Sequence, residues 1–525
     1  MNIILGNWRL SADLALLNGN IRTMNPRQPV AQAVAITKNR IVTVGSNQEI
    51  SKLIGKSTKV VNLGGKTVVP GLIDTHIHVA DFGRCLMWLD LSSAESIEDL
   101  QTLLKQKAVK TLAGKWIIGR GWNENNFKEK RLLTFRDLDK AAPETPIILY
   151  HGAAYTCAAN TKAITIAGVT KQTAAPSGGS IDKSATGELT GIFRGSATNL
   201  VWQAVAVLSD KELVDAAELA FQQVVQAGLT SIDWIILSEN ELSIVQGLYK
   251  QKKLPIRVNL IVPYEFLKRA SGFTSNDPLR LRLGGVIIFV DGYLDSKTAA
   301  LREPYSDDQN NKGKMLLNQN ELAVLVTQVV ALGLQPVIHA MGDRAVDTAL
   351  TVIEHSAKKV RFRIEQAAVL NSELVKRLGA QDIVVSVQPK MVPTEFTTWS
   401  AIEHLGVERA KWLHPLKTLL NEGVRLAGGS DCPMEPLNPF LGMQEAVLRE
   451  TNPEQRLTVE EALRIYTVDA AYCSGEENFK GSVEEGKLAD LTVLAADPAL
   501  VSSDKIKDIQ VDLTIVDGKI VYSKP

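Results

Sequence analysis

Residues 68–78 read VVPGLIDTHIH, an apolar run that ends in two histidines separated by one residue. On a β-strand, side chains two residues apart project from the same face, so His76 and His78 can present their imidazoles side by side at the strand's end. Neutral imidazole is a common ligand for zinc, nickel and iron. Two histidines on the surface of an edge strand would give the same pattern, so the pair alone does not decide between a metal site and a structural role.

Further motifs along the chain resemble those of one protein family. PGLIDTHIH is similar to the first-strand metal motif of the amidohydrolase superfamily, and later stretches narrow the resemblance to its YtcJ-like branch, also called amidohydrolase family 3. They are Asp291-Gly292 with Thr298-Ala299 and Pro304-Tyr305; HAMGDRA at 339–345; GSDCP at 429–433; and GSV at 481–483 with GKLADL at 486–491. They occur in the family's order and span nearly the whole chain, which is therefore identified as a member of that family.

The composition narrows the class of protein. The 525 residues include 58 basic and 58 acidic side chains. A nucleic acid or an anionic membrane usually requires a basic surface, so neither is expected as a partner. No run of 18 apolar residues predicts a transmembrane helix, and residues 1–10 lack the basic-then-apolar order of a signal peptide. The four cysteines are scattered, which favours a cytoplasmic location. We expect a cytoplasmic homodimer that acts on a small molecule.

Both ends of the chain show strand–turn–strand patterns. Near the N-terminus, a strand at 12–17 precedes a hairpin pattern at 33–45, and the stretch 490–521 repeats such a pattern at the other end. The economical interpretation is one small β-sandwich built from both termini, residues 1–67 and 480–525. A domain at 68–479 would then be inserted between them.

From Gly71 onward, strands alternate with longer helical segments, which is typical of βα units and a parallel sheet. Apolar strands are predicted at 230–233, 256–260, 286–290, 336–339, 383–387 and 424–427. The sequence thus predicts the α/β class and a (β/α)8, or TIM, barrel. The stretch of about 84–195 is longer than one βα unit needs and is interpreted as an insertion after the first barrel strand. Helices are predicted from Ser96, as N-cap, to Val109 and from Asp210 to Ala227.

In such a barrel the active site lies at the C-terminal ends of the strands. His76, His78, His339 and Asp431 each fall at or just past the end of an apolar strand, so they would converge on one mouth. Three imidazoles and one carboxylate suit one divalent transition metal, with zinc expected first and Fe2+, Ni2+ or Mn2+ as alternatives. A turn or cap role is the other interpretation of Asp431, which follows two glycines and a serine.

Two departures from the family's pattern bear on the number of metals. Ile287 stands where many relatives carry a carboxylated lysine that bridges two metals, and Gln366 stands where they carry a histidine. Lys297, the nearest lysine, occupies a position where relatives have arginine and is not interpreted as a ligand. The two losses remove the bridging group and one ligand of a second site. The resemblance therefore implies one metal, as in members of the superfamily similar to cytosine deaminase.

Two further departures concern the groups around the metal. Tyr155 replaces a histidine of the family, with His151 four residues away, and Gly195 replaces a glutamate. Tyr155, His151 and Gln366 are each candidates to donate a hydrogen bond to a developing oxyanion.

The resemblance implies a metal-dependent amidohydrolase that cleaves an amide-like or cyclic C–N bond of a small molecule. Asp431 would be the proton shuttle beside a metal-activated water. Asp343 and Glu365 could orient ligands or form salt bridges, and Arg344 is interpreted as structural. The alternatives are a degenerate homologue with a binding role and a lyase or hydratase that uses the same water.

Overall fold

The chain folds into two compact units. One comprises the chain up to Phe82 together with Ala217–Pro525, and the other is Gly83–Ala216. The computed structural model describes residues 11–151, 156–176, 179–206, 208–270, 272–357 and 360–525. None of the helices formed by these residues is long and apolar enough to cross a membrane.

The first unit contains a barrel of eight parallel strands, which confirms the predicted fold class. In order they are Leu72–Ile77, Leu229–Ile235, Arg257–Pro263, Leu281–Phe289, Gln335–Ala340, Phe362–Gln366, Ile383–Val387 and Arg425–Gly428. Each strand pairs in parallel with the next. A parallel bridge between Ile77 and Cys432 brings the end of the eighth strand against the first. The C-terminal ends of all eight strands therefore meet at one mouth.

Helices follow most of the barrel strands and cover their outer side, so the strands are apolar on both faces. Asp210–Gln226 is helical as predicted, and capping boxes at Asn318 and Thr458 fix the starts of two others. The remaining helices of this part of the chain are Val79–Met87, Glu239–Lys250, Leu267–Ala270, Gln319–Ala331, Asp343–Glu354, Ser372–Gly379, Met391–Thr397, Ala401–Leu405, Val407–Ala410, Leu416–Asn421, Pro439–Leu448, Val459–Ile465 and Val468–Cys473, with 3-10 turns at Tyr264–Phe266, Pro453–Gln455 and Ser503–Asp508.

Two further sheets of the first unit form the β-sandwich. The four-stranded sheet has the order Arg40–Gly45, Ala33–Thr37, Leu14–Leu17 and Lys59–Asn62, and helix Asn47–Ser51 follows its edge strand. The six-stranded sheet has the order Lys519–Ser523, Val511–Val516, Leu491–Leu494, Thr67–Pro70, Asn20–Arg22 and Val30–Ala31. Thr67–Pro70 pairs antiparallel with Leu491–Leu494, and one buried core holds residues from both ends, including Leu16, Val68 and Val493. Both termini therefore build one sandwich.

A chain that lacks residues 485–525 should be less soluble and melt at a lower temperature. Leu491–Leu494 is an inner strand of the six-stranded sheet, so its loss would expose Val68 and leave Thr67–Pro70 as an edge strand. It would also leave the buried guanidinium of Arg257 without Asp490. Thermal melting and the soluble yield of the shortened chain test this. An unchanged melting temperature at full solubility would show that the two ends do not depend on each other.

The second unit, Gly83–Ala216, follows the first barrel strand, where the sequence predicts an insertion. Its six-stranded sheet has the order Gly179–Lys183, Leu189–Gly195, Thr156–Ala159, Ile147–His151, Ile117–Trp122 and Leu89–Asp90. Its helices include Ile97–Lys110, Phe135–Asp139, Thr161–Ile166 and Thr198–Trp202. Ser96 caps the first of these by accepting a hydrogen bond from Asp99 N at 3.1 Å, as predicted. The predicted domain boundaries, including the insertion at about 84–195, stay a prediction.

Candidate metal centre

His76 and His78 lie at the C-terminal end of the first barrel strand, and each has one ring nitrogen already committed. Nδ1 of His76 lies 2.7 Å from Glu365 Oε2, and Nδ1 of His78 lies 3.2 Å from the carbonyl oxygen of Ile235. A carbonyl oxygen and an ionised carboxylate can only accept, so both Nδ1 atoms carry the proton. In the neutral tautomer that binds a metal, both Nε2 atoms are then bare lone pairs.

Asp431 lies in the turn after the eighth strand and faces both bare nitrogens. Its Oδ1 is 3.5 Å from Nε2 of His76 and 3.2 Å from Nε2 of His78. The turn is attached to the first strand, because Asp431 N donates to His76 O at 2.7 Å and His78 N donates to Cys432 O at 2.9 Å. A side chain at Gly429 would bring a Cβ to 2.8 Å from His76, so this close approach requires glycine. The backbone thus places the carboxylate against the imidazoles.

His76, His78 and Asp431 form a group whose possible ligand atoms all lie within 4.8 Å of one another. His339, at the end of the fifth strand, is not part of that group, although its ring interacts electrostatically with His76 and Asp431. Its Nε2 lies 3.3 Å from the carbonyl oxygen of Gly292, which leaves Nδ1 bare. Burial lowers the pKa of His339 to about 4, so this imidazole is neutral near pH 7. His339 stays a predicted fourth ligand.

A buried ion-pair network centred on Arg363 holds His76 in place through Glu365 and Thr75. Arg363 is fully buried and donates to Glu365 on its own strand and to Asp233 on the second strand. It also donates to the carbonyl oxygen of Thr75, the residue before His76. Burial alone would raise the pKa of Glu365, but Arg363 and His76 outweigh it and hold that pKa at about 2. Glu365 is therefore an ionised acceptor that fixes the orientation and tautomer of His76.

Arg363→Met should lower the free energy of unfolding by about 3–5 kcal/mol, because it leaves the carboxylates of Asp233 and Glu365 buried without their cation. Arg302→Met is the matched control. Arg302 is about one-third exposed and pairs with Asp347 at 2.9 Å, so its loss should cost no more than about 1 kcal/mol. Urea denaturation and thermal melting of both variants measure the difference. Equal stability of the two variants would show that the buried ion pairs of Arg363 do not stabilise the fold more than an exposed pair does.

The charges around the cluster fit a bound cation. Asp233 and Glu365 share one guanidinium, and the ion pairs of Asp431 are with His76 and His78 alone among the described residues. Burial lowers the pKa of His76, yet Asp431 and Glu365 outweigh it and raise that pKa above its ordinary value. The two carboxylates therefore favour positive charge at this site, whether a proton or a metal ion supplies it. Two imidazoles with free lone pairs and one carboxylate are the donor set of a catalytic transition-metal site.

Ile287 and Gln366 are the two residues from which the sequence predicts a single metal, and both are buried. Ile287 is buried in an apolar cluster with Ile235, Ile261 and Val337, so it offers packing and no ligand atom. Gln366 is buried beside the metal cluster, with Nε2 3.5 Å from Asp431 Oδ2. Lys297 forms an ion pair with Asp307, which agrees with its omission from the predicted ligands.

The structure describes three of the four other positions that the sequence analysis considers near the metal, and Tyr155 is the exception. Tyr155 lies outside the described residues. His151 belongs to the second unit, where its Nε2 lies 3.0 Å from Glu124 Oε2. Gly195 ends a strand of that unit with a φ of 55°. Asp343 Oδ1 accepts a hydrogen bond from Arg302 N at 2.8 Å, which is a structural contact.

Sequence reasoning missed Arg363 and Asp233 as supports of the site. Both are charged residues inside otherwise apolar strands, LTSIDWI at 229–235 and FRIEQ at 362–366. A charged residue in a strand that is buried on both faces is a usable sequence signal for an ion pair, because a buried charge requires a partner. Arg344 is exposed, as its structural interpretation allows.

Comparisons with known proteins agree with this fold. A family model described as the amidohydrolase family matches residues 59–522. The chain is 33% identical to a putative amidohydrolase YtcJ of Bacillus subtilis, over 96% of this chain and 98% of that protein. It is 27% identical to an N-substituted formamide deformylase of Arthrobacter pascens, over 98% of each chain. The crystal structure of an uncharacterised metal-dependent hydrolase of Pyrococcus furiosus superposes with a TM-score of 0.77, at 29% identity, over 93% of this chain and 99% of that chain.

The barrel and these relatives define a metal-dependent hydrolase. The chain belongs to the amidohydrolase family.

Proposed function

We propose that this hydrolase cleaves an amide-like or cyclic C–N bond of a small molecule, with one metal ion and with Asp431 as the proton shuttle. The observation that carries the proposal is the cluster of His76, His78 and Asp431, whose ligand atoms lie within 4.8 Å of one another. The bare Nε2 atoms face a carboxylate, which places ligands and a base at one point. The formamide deformylase relative supports a substrate with a C–N bond next to a carbonyl group.

His76, His78 and Asp431 would hold the metal, and His339 would approach with its bare Nδ1. Zinc fits this mixture of nitrogen and carboxylate ligands, with Fe2+, Ni2+ and Mn2+ as alternatives. When bound, the metal supplies Lewis acidity that makes a water molecule a nucleophile at neutral pH and polarises the substrate's carbonyl. A single metal is proposed because Ile287 is apolar and Gln366 is an amide.

Asp431 would take a proton from the attacking water and pass it to the leaving nitrogen. Burial would raise the pKa of this carboxyl, but His76, His78 and His339 outweigh it and keep that pKa below its ordinary value. Asp431 is therefore ionised and ready to accept a proton. Water would first add to the carbonyl carbon and form the C–O bond, the C–N bond would then break as the nitrogen is protonated, and the products are a carboxylic acid and an amine. Gln366 Nε2 lies beside Asp431 and is proposed to donate a hydrogen bond to the developing oxyanion.

The described cysteines support a reducing location for the protein. All four are buried, and no disulfide joins them to one another among the described residues: Cys85, Cys157, Cys432 and Cys473. We propose a cytoplasmic location on this ground. The homodimer expected from the sequence stays a prediction.

Turnover of N-formyl, N-acyl and cyclic amides by the metal-loaded protein tests the proposal. Hydrolysis in 18O-labelled water should place the label in the carboxylate product, and removal of the metal with a chelator should abolish turnover. A fully loaded protein that cleaves no C–N bond would favour the degenerate homologue with a binding role. A product that keeps its C–N bond while gaining or losing water would favour the lyase or hydratase.

A further inference from the structure

Two buried glutamine side chains at the mouth of the barrel carry amide atoms that have no hydrogen-bond partner among the described residues. Gln388 is 0% exposed, and neither its Oε1 nor its Nε2 has a partner among the described residues. Gln366 is 2% exposed, and its Oε1 is likewise without a partner in the described part of the chain. A buried amide without partners costs free energy, and the great majority of buried polar atoms in proteins are satisfied. Two such amides close together therefore indicate that something else pairs with them.

Both amides lie next to the metal cluster. Gln388 directly follows the seventh strand, where Gly429 N donates to Val387 O at 3.0 Å. Gly429 in turn packs against His76, since an added Cβ would lie 2.8 Å away. Ser386, two residues before Gln388, faces the barrel interior and contacts Thr75 at 3.2 Å. Gln388 lies two residues beyond Ser386 and just past the end of the strand, which places it nearer the mouth.

Gln366 reaches the same place from the sixth strand. Its Nε2 lies 3.5 Å from Asp431 Oδ2, which is long for a hydrogen bond, and donates weakly to the sulfur of Met391 at 3.8 Å. Met391 N donates to Gln388 O at 2.9 Å, so Met391 lies between the two glutamines. Gln366 therefore lies beside the proposed proton shuttle, and Met391 connects it to Gln388.

We propose that Gln366 and Gln388 form a recognition site for a substrate that presents an N–H and a C=O side by side, namely a primary carboxamide, a lactam or a cyclic ureide. A glutamine amide offers one donor and one acceptor on the same edge, and the edge of such a substrate is its complement. The inference rests on the proposed function in placing the substrate's C–N bond at the metal cluster. It makes Gln388 a specificity-determining residue.

The charges favour a neutral ligand at this position. Lys390, two residues after Gln388, is paired with Glu435 Oε2 at 3.5 Å. The guanidinium of Arg363 is committed to Glu365 and Asp233. Neither cation is therefore available to pair with a carboxylate of a ligand. Unpaired neutral amides select for a neutral donor–acceptor edge, because a ligand that lacks one half of it leaves a buried group unpaired.

Two lactams of nearly equal size test the proposal with the metal-loaded protein. 2-Pyrrolidinone has the N–H and C=O edge, whereas N-methyl-2-pyrrolidinone keeps the carbonyl and lacks the N–H. The wild-type protein should bind the first about tenfold more tightly in NMR titrations, the equivalent of one hydrogen bond. Gln388→Met should remove that preference without lowering the melting temperature, because methionine has similar volume and no group to satisfy.

Gln455→Met is the matched control. Gln455 is also buried, but its Oε1 and Nε2 are both bonded to Thr418. This variant should melt at a lower temperature and keep the preference between the lactams. Equal affinities of the wild-type protein for the two lactams, including no measurable binding of either, would overturn the inference. So would a fall in melting temperature for Gln388→Met as large as that for Gln455→Met. A protein that keeps the lactam preference and hydrolyses nothing would refute the hydrolase proposal alone.

Discussion

Asp431→Asn should lower the turnover per bound metal by about 10²–10⁴, while most of the metal is retained. The amide keeps an oxygen that can coordinate, but it is a far weaker base and cannot accept the proton of the attacking water. The backbone hydrogen bond from Asp431 N to His76 O is unaffected, so the turn should keep its position. Metal content and rate are measured on the same sample, and the rate is divided by the bound metal.

Asp307→Asn is the matched control for the Asp431 variant. Asp307 is also a carboxylate beside a histidine, with His404 Nδ1 at 2.9 Å, but it forms a partly exposed pair outside the metal cluster. Its rate per metal should equal that of the wild-type protein. If Asp431→Asn also turned over at the normal rate per metal, Asp431 would have no part in the proton transfer, and its interpretation as a turn residue would stand.

His78→Ala and His76→Ala should each lose the metal while the barrel stays folded. Each change removes one ligand atom at the end of a strand and opens no large cavity in the core. Loss of a hydrogen-bonding partner behind a ligand typically lowers metal affinity about 10–100-fold. Loss of the ligand itself should lower the metal affinity by more than this. Glu365→Gln keeps an acceptor for His76 Nδ1, so it should lower the metal affinity by about 10–100-fold. Competition with a chromophoric chelator gives the affinities.

His355→Ala is the control for the loss of a histidine. His355 is exposed at the end of helix Asp343–Glu354, where Nδ1 bonds to Thr351 O at 2.7 Å. Its metal affinity should be unchanged. Full metal content in the His76→Ala, His78→Ala double variant would refute the assignment of these ligands.

The barrel could be predicted because its strands are short apolar runs and its helices carry ordinary caps. The fourth strand shows the limit of that reasoning. The sequence predicts it from Val286, whereas it begins at Leu281. Residues 281–285 read LRLGG, and adjacent glycines usually mark a turn. In the fold, a Cβ at Gly284 would lie 1.8 Å from Asn259 Oδ1, so this glycine permits a close approach between strands that no local pattern reveals.

The candidate site was predictable where residues carry a motif and unpredictable where they depend on partners distant in sequence. His76, His78 and Asp431 come together as expected. The support of His76 by Glu365 depends on Arg363, whose second partner Asp233 lies 130 residues away. Gln366 could be identified only as a lost histidine, because the sequence does not show that its Oε1 is buried without a partner in the described part of the chain. Gln388 carries no signal at all.

The number of metal ions that restores turnover tests the central claim most directly. Protein stripped with a chelator is titrated with zinc, and bound metal and hydrolysis are followed together. The account predicts that turnover rises linearly and reaches its plateau at about one zinc per chain, because Ile287 and Gln366 cannot complete a second site. A plateau at two metals per chain would contradict it, and so would full turnover by the stripped protein.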